Sequence, residues 1–402
     1  MKGENADFMN AVGIICEYNP LHEGHARHMR LAREESGADT LVCVMSGALV
    51  QRGQPAVLDA FTRAEWAICS GADLVLLLPA IYSCASADDF ARGGMRVLKD
   101  SGIVSSFSFG CRSENPAPLF SAAKLLSCPS DDFSATLRSA VAQGMGYPAA
   151  LGLAARRFCP NDIDPAALDA VFQSANDTLG MRYLIENEAL GAHLRPIPVH
   201  RPAQSVTASD LRAALSGTLS KEESQISGVP EFVRSDLIRK KHCDPAFFET
   251  ILAAHLRLME KDALDSIYGM TPALRDGLFS AARQCVNAQQ IESCVSGRHF
   301  TRARVRRALW HCLLGVTDAL AQEAKKNTPY LRVLAVRKGR EELLGALHRN
   351  AQAPVLTSGK IDELSSFAQQ CAALDMRAMD LQAMTLDDPH CGAWFTKKLV
   401  KI

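Results

Sequence analysis

The chain has no excess of either charge: 44 Lys and Arg stand against 44 Asp and Glu in 402 residues. A neutral total gives no reason to expect a polyanion or a charged surface as partner, so only a local asymmetry can point to one. Long hydrophobic runs are missing as well. The apolar run Leu74 to Pro79 is far too short to cross a bilayer, which takes about 20 apolar residues. No secretory apolar core precedes the first strand-like run, because Met1 to Asn10 is polar and acidic. The 13 cysteines contain no C-x-x-C pair and no metal-finger spacing. Together these absences lead us to expect a cytosolic protein with reduced thiols and no membrane segment.

What is present is an ordinary globular composition, 48% hydrophobic and 22% charged, at a length that suggests two or three domains. Five apolar runs read as strands: Ala11 to Cys16, Thr40 to Met45, Asp73 to Leu78, Ser106 to Phe109 and Pro196 to His200. Most are apolar on both faces, as parallel strands buried between helices are. Helical patterns separate the first four, at His25 to Ser36, Ala60 to Gly71 and Asp88 to Ser101. This alternation predicts an α/β fold, a doubly wound parallel sheet whose ligands sit at the carboxyl ends of the strands. Residues 116–177 read as a helical insertion. The polar stretch Ser216 to Pro230 reads as a linker, and residues 231–402 as a mainly helical C-terminal domain. Leu331 to Val336 and Ala353 to Thr357 are candidate strands within it.

The chemistry concentrates where the first strand ends. After Ile15-Cys16 the chain reads Glu17-Tyr18-Asn19-Pro20-Leu21-His22-Glu23-Gly24-His25, which delivers His-x-Gly-His to the start of a helix. Imidazoles at i and i+3 share one helical face, and the glycine between them lets a bulky ligand approach the backbone. A helix N-terminus already attracts phosphate. Two histidines there add donors to triphosphate oxygens, an arrangement suited to attack at an α-phosphate with pyrophosphate leaving. His28 lies one step further along the face, where a solvated surface histidine and a phosphate contact are both open. No metal site is expected, because Glu17, Glu23 and Cys16 do not share the histidines' face.

Further motifs lie at the same predicted edge. Ser209-Asp210-Leu211-Arg212 opens a helix after the fifth strand; Ser209 is either its N-cap or a phosphate ligand beside Arg212. Asn176, in a turn, either caps a helix or bonds a ribose or base edge. Arg201 follows the fifth strand and can bind phosphate or stack on adenine. The loop Met45 to Ala56, glycine-punctuated and with one cation, either covers the nucleotide or is plain surface. Arg298, Arg302, Arg304, Arg306 and Arg307 crowd one helix in an otherwise neutral chain. With few acids close in sequence, this stripe is read as a nucleic-acid face; a solvated helix paired with distant acids is the alternative.

Taken together, the motif from Glu17 to His25, Met45-Ser46-Gly47 with Gln51-Arg52-Gly53, Ser174-Ala175-Asn176 with Leu179-Gly180, and Thr301-Arg302 with Arg306-Arg307 resemble the tRNA(Met) cytidine acetate ligase family over nearly the whole chain. The first motif alone resembles only the wider HxGH nucleotidyltransferase superfamily, with its HUP-like sheet. In that superfamily a Ser-x-x-Arg element is common where Ser209 and Arg212 stand. The resemblance implies activation of acetate by ATP, with magnesium assisting, and acetylation of the wobble cytidine of elongator methionine tRNA to N4-acetylcytidine. It places ATP against Ile15, Cys16, Glu17, Tyr18, Asn19, Pro20, Leu21, His22, Glu23, Gly24, His25 and His28, and against Gly110, Asn176 and Arg201. Its setting is the bacterial cytoplasm, and no protein partner is implied. Leu21 stands where Phe is common, Glu23 where Asn is, and Leu77 where an acid is usual. A small-molecule adenylyl- or cytidylyltransferase, or a non-catalytic RNA-binding protein, are the other functions the residues allow.

Overall fold

The computed structural model of the chain describes residues 10–161, 163–201, 207–216, 226–297, 299–387 and 391–402. Ten strands lie in chain order: β1 (Ala11–Cys16), β2 (Thr40–Ser46), β3 (Leu49–Val50), β4 (Gln54–Pro55), β5 (Leu74–Leu78), β6 (Ser106–Cys111), β7 (Arg195–His200), β8 (Leu331–Val336), β9 (Val355–Leu356) and β10 (Val400–Lys401). All five strands expected from the sequence form, with no end moved by more than two residues. The main sheet runs β10-β8-β5-β2-β1-β6-β7, with β9 also paired to β8. From β5 to β7 every neighbouring pair is parallel.

Chain order explains where a ligand can enter. From β1 the sheet grows through β2 to β5, then returns to place β6 on the other side of β1. The two crossovers diverge at β1 and β6, and a crevice opens outside their carboxyl ends. The residues after Cys16 and those at Gly110 flank that crevice. β1, β2 and β5 are buried almost throughout, which accounts for runs apolar on both faces. Helices Glu23–Ser36, Ala60–Cys69 and Ala87–Ser101 cover them. The insertion is helical as expected: Ala117–Ser127, Asp131–Ala142, Tyr147–Arg157 and Pro165–Gln173, followed by Ala175–Ala189.

The C-terminal region departs from the expected division. Helices fill residues 231–324, but the chain then rejoins the sheet: β8 pairs antiparallel with β5, and β10 and β9 pair with β8. The outer edge of β5 carries unpaired backbone groups, and β8 satisfies them. Asp73, nearly buried, draws Arg337 at 3.0 Å and Arg340 at 3.6 Å, fastening the return. The region 231–402 is therefore not a free-standing helical unit, and its last strands belong to the first domain's sheet. Of the expected linker, residues 217–225 lie outside the described residues, as do residues 1–9. Among the described residues no helix is long and apolar enough to cross a membrane.

Candidate active site

His22 caps the Glu23–Ser36 helix with extended backbone, so His25 falls at the third helical position. The two rings stack, centroids 3.7 Å apart and planes 23° from parallel. The His22 backbone N–H donates to His25 Nδ1 at 3.3 Å. With Nδ1 accepting, the neutral His25 ring carries its proton on Nε2, away from its own backbone. Gly24 serves this stack. A Cβ there would lie 2.9 Å from His22 Cε1 and 3.0 Å from Nδ1, so the space read as an approach for ligand is taken by the His22 ring. The Tyr18 ring meets His25 edge-on, with centroids 5.1 Å apart.

Burial sets the charge of these rings. It pushes His22 down to about 4, with Arg201 adding to it. His25 is pushed well below the usual imidazole range by burial, then by His22 and Arg201. His28 also falls to about 4, by burial first. All three are neutral at pH 7 and act as hydrogen-bond donors rather than cations. His28 is not a solvated surface residue: its Nε2–H donates to Ser108 Oγ at 2.9 Å, and that hydroxyl donates to Ile197 O at 2.9 Å. One N–H at the helix start is already engaged, since Glu23 N–H donates to Gly228 O at 2.8 Å.

The crevice holds two connected chambers. The larger, about 850 Å³, has an apolar wall that includes Ile15, Phe90, Phe109, Phe172 and Leu179. The smaller, about 440 Å³, is lined by Arg52, Arg112, Arg201 and Arg212 with Ser209 and Thr207. Glu17, His22, His25 and Asn176 border both. An apolar slot joined to a four-arginine chamber suits a planar base joined to a chain of phosphates, with the histidines at the junction.

Most residues singled out from the sequence meet here. Ile15, Cys16, Glu17, Tyr18, Asn19, His22, Glu23, Gly24, His25, His28, Gly110, Asn176 and Arg201 line the larger chamber, and Ser209 and Arg212 the smaller. Pro20 and Leu21 line neither: both are buried, Leu21 completely, so they shape the turn rather than touch a ligand. The cap of the Ala208–Ser216 helix is Thr207, whose Oγ1 accepts from Asp210 N–H at 3.2 Å. Ser209 is left to accept from Arg212 at 3.1 Å, while Arg212 also donates to Asn19 O at 2.7 Å. Ser174, not Asn176, caps the Ala175–Ala189 helix.

Three arginines important to the site are not among the candidate site residues read from the sequence. Arg52 and Arg112 complete the cationic chamber; in the sequence Arg52 stands as the cation of the glycine-punctuated loop and in the Gln51-Arg52-Gly53 motif, with no role assigned to it. Arg63 is fully buried and gives its guanidinium to three backbone carbonyls: Leu58 O at 3.0 Å, Glu17 O at 2.6 Å and Gly47 O. It ties the turn after β1 to the end of β2. Burial lowers its pKa to about 10, still charged at pH 7.

The basic helix, Arg302–Leu314, is more internal than its sequence suggested. Arg306 is locked between Glu249 and Glu292, the latter at 2.8 Å. Those acids sit on the Pro245–Leu258 and Ala288–Val295 helices, which only the fold brings close. Arg307 donates to Gln51 O at 3.3 Å, and Trp310 to Gly53 O at 2.9 Å. Gly53 has φ +72°, and a Cβ there would strike Arg306 Cγ at 2.9 Å. Arg302 is exposed, and Arg304 lies over the Phe300 ring at 5.1 Å. Arg298 lies outside the described residues. Arg306 and Arg307 are thus structural, which removes them from the expected nucleic-acid face.

Comparison with known proteins decides the family. The model of the HIGH Nucleotidyl Transferase family matches residues 9–392. A tRNA(Met) cytidine acetate ligase from Syntrophotalea carbinolica is 32% identical over 366 residues, covering 87% of this chain and 85% of that protein. This chain belongs to the tRNA(Met) cytidine acetate ligase family, within the HIGH nucleotidyl transferases. A second ligase of that family, from Fervidobacterium nodosum, is 29% identical over 368 residues, 88% of this chain and 85% of that one. Among solved structures, Thermotoga maritima TmcAL bound with alpha-thio ATP superposes with a TM-score of 0.90 at 26% identity, covering 97% of this chain and 99% of that one. The fold agrees with that of TmcAL, solved with alpha-thio ATP.

Proposed function

We propose that this chain activates acetate with ATP as acetyl-adenylate and transfers the acetyl group to N4 of the wobble cytidine of elongator methionine tRNA, releasing AMP and diphosphate. The observation that carries this reading is the stacked, neutral His22–His25 pair at the junction of an apolar and a four-arginine chamber. Two relatives named for that reaction support the choice of substrates.

Adenine and ribose occupy the larger chamber, with Asn176 and Gly110 at its rim. The phosphates cross the histidines into the smaller one. An acetate oxygen attacks the α-phosphorus, and the bond to the bridging oxygen of the β-phosphate breaks. The imidazole N–H groups stabilise the charge gathering on the α-phosphate; losing one such preorganised donor typically costs about 10²- to 10³-fold in rate. Arg52, Arg112, Arg201 and Arg212 steady the departing diphosphate. Magnesium on the triphosphate would neutralise part of its charge. Among the described residues no three His, Cys, Asp or Glu side chains converge on one point, so the protein would offer it no ready-made cage.

Arg302 and Arg304 hold phosphates of the anticodon stem-loop, whose unstacked base can reach the cavity as a paired base cannot. Residues 1–215 form the nucleotide half and the helices from 231 the RNA half, in a protein that works in the bacterial cytoplasm. Mass spectrometry of nucleosides from methionine tRNA treated with protein, ATP and acetate tests the reading. N4-acetylcytidine is expected; unmodified cytidine after incubation with folded, ATP-binding protein overturns it.

A further inference from the structure

Acetyl transfer needs a group that the adenylation step does not. The N4 amine of cytidine is a weak nucleophile and must lose a proton as it attacks. Among the described residues, Glu17 is the one carboxylate bordering both chambers; Glu23 borders the larger alone and is exposed. We propose that the Glu17 carboxylate accepts a hydrogen bond from the exocyclic amine of the incoming base and takes its proton during acetyl transfer. The inference rests on the reading above and assigns that reading's second step to a residue.

Three observations carry it. Glu17 borders both chambers, as His22 and His25 do. Its orientation is fixed, because Oε1 accepts Gln51 N–H at 2.8 Å and Arg63 holds its carbonyl at 2.6 Å. Among the described residues no hydrogen bond uses Oε2, which leaves one carboxylate oxygen for a ligand. A carboxylate is the side chain that matches the N4 donor of cytosine. The same acceptor that selects the amine is therefore placed to deprotonate it.

The step balances. The N4 lone pair forms a C–N bond to the acetyl carbonyl carbon. The C–O bond to the adenylate phosphate breaks, and AMP leaves with that electron pair. The N4 proton passes to Glu17 Oε2 and then to AMP or water. The charged and titratable groups facing Glu17 are Arg52, Arg63 and Arg212, with Cys84, His22, His25 and Tyr183. Burial raises the pKa of Glu17, and Gln51 N–H and the three arginines pull against it. A raised carboxylate pKa makes the group a stronger base.

The test separates the two half-reactions. Acetate-dependent ATP–pyrophosphate exchange reports adenylation, and single-turnover transfer from preformed acetyl-adenylate to methionine tRNA reports the second step. Glu17→Gln keeps an acceptor for Gln51 N–H and removes the base. Transfer should fall about 10²-fold or more, far more than exchange, and the acid limb of the wild-type transfer profile should vanish. Glu17→Asp, a folded carboxylate control drawn back from the site, should slow transfer and keep the acid limb. The inference is overturned if Glu17→Gln transfers at nearly the wild-type rate, if both half-reactions fall equally, or if the wild-type or Glu17→Asp transfer rate is flat at acid pH. A wild-type chain with no acetate-dependent exchange instead defeats the reading of function itself.

Discussion

Replacing Gly24 by alanine should separate stability from activity. The new Cβ would sit 2.9 Å from His22 Cε1. An ordinary carbon contact needs about 3.5 Å, so the ring must retreat by roughly 0.6 Å. That movement costs little energy, because the imidazole is the end of a side chain. It also tilts the ring from its stack on His25 and moves its N–H from the α-phosphate. A misplacement of about 1 Å can cost roughly 10²-fold in rate, so this one should cost about tenfold or somewhat more. Alanine meanwhile favours the helix by up to about 0.5–1 kcal/mol over glycine. Denaturant midpoint and acetate-dependent ATP–pyrophosphate exchange, measured on one preparation, give both numbers. We expect an unchanged or higher midpoint with exchange down about tenfold. Exchange at the wild-type rate would refute the claim that Gly24 exists to seat the His22 ring.

Further outcomes follow from the same contacts. Arg63→Met should leave the Glu17 and Gly47 carbonyls without their donor, while Leu58 O keeps Gln382; at about 1–3 kcal/mol each, the loss seen in urea denaturation should be at least about 2 kcal/mol. Arg306→Ala should lower stability, because Glu249 and Glu292 lose their shared partner, whereas Arg302→Ala should weaken tRNA binding and reduce its salt dependence at unchanged stability. Stability should also depend on the buried imidazoles. Unfolded histidines protonate near 6.5, while His22 and His28 hold out to about 4, so the unfolded chain binds more protons between those values. The thermal midpoint, highest above pH 6.5, should fall as pH drops towards 4, and His28→Asn should flatten that fall.

The nucleotide half was largely legible because its signals are local. Strands apolar on both faces, alternating with helical patterns, identify a parallel sheet, and His-x-Gly-His marks its switch point. Side-chain direction was not legible. Neither Leu21, which turns inward, nor Gly24, filled by the neighbouring ring, differs in sequence from a ligand-facing residue. Arg63 carries no sequence signal, since its partners are backbone carbonyls at positions 17, 47 and 58. The arginine helix misled for a related reason. Glu249 lies 57 residues from Arg306, so the acid that neutralises it is close only in the fold. The antiparallel return of β8 was equally hidden, because an apolar hexapeptide specifies a strand but not the edge it joins.

The measurement that bears most directly on the whole account is the rate of acetyl-adenylate formation by His22→Ala/His25→Ala, in protein shown to be folded and to bind ATP. Paired neutral imidazoles that stabilise the α-phosphate predict a fall of about 10³-fold or more. Formation of adenylate at the wild-type rate would contradict it.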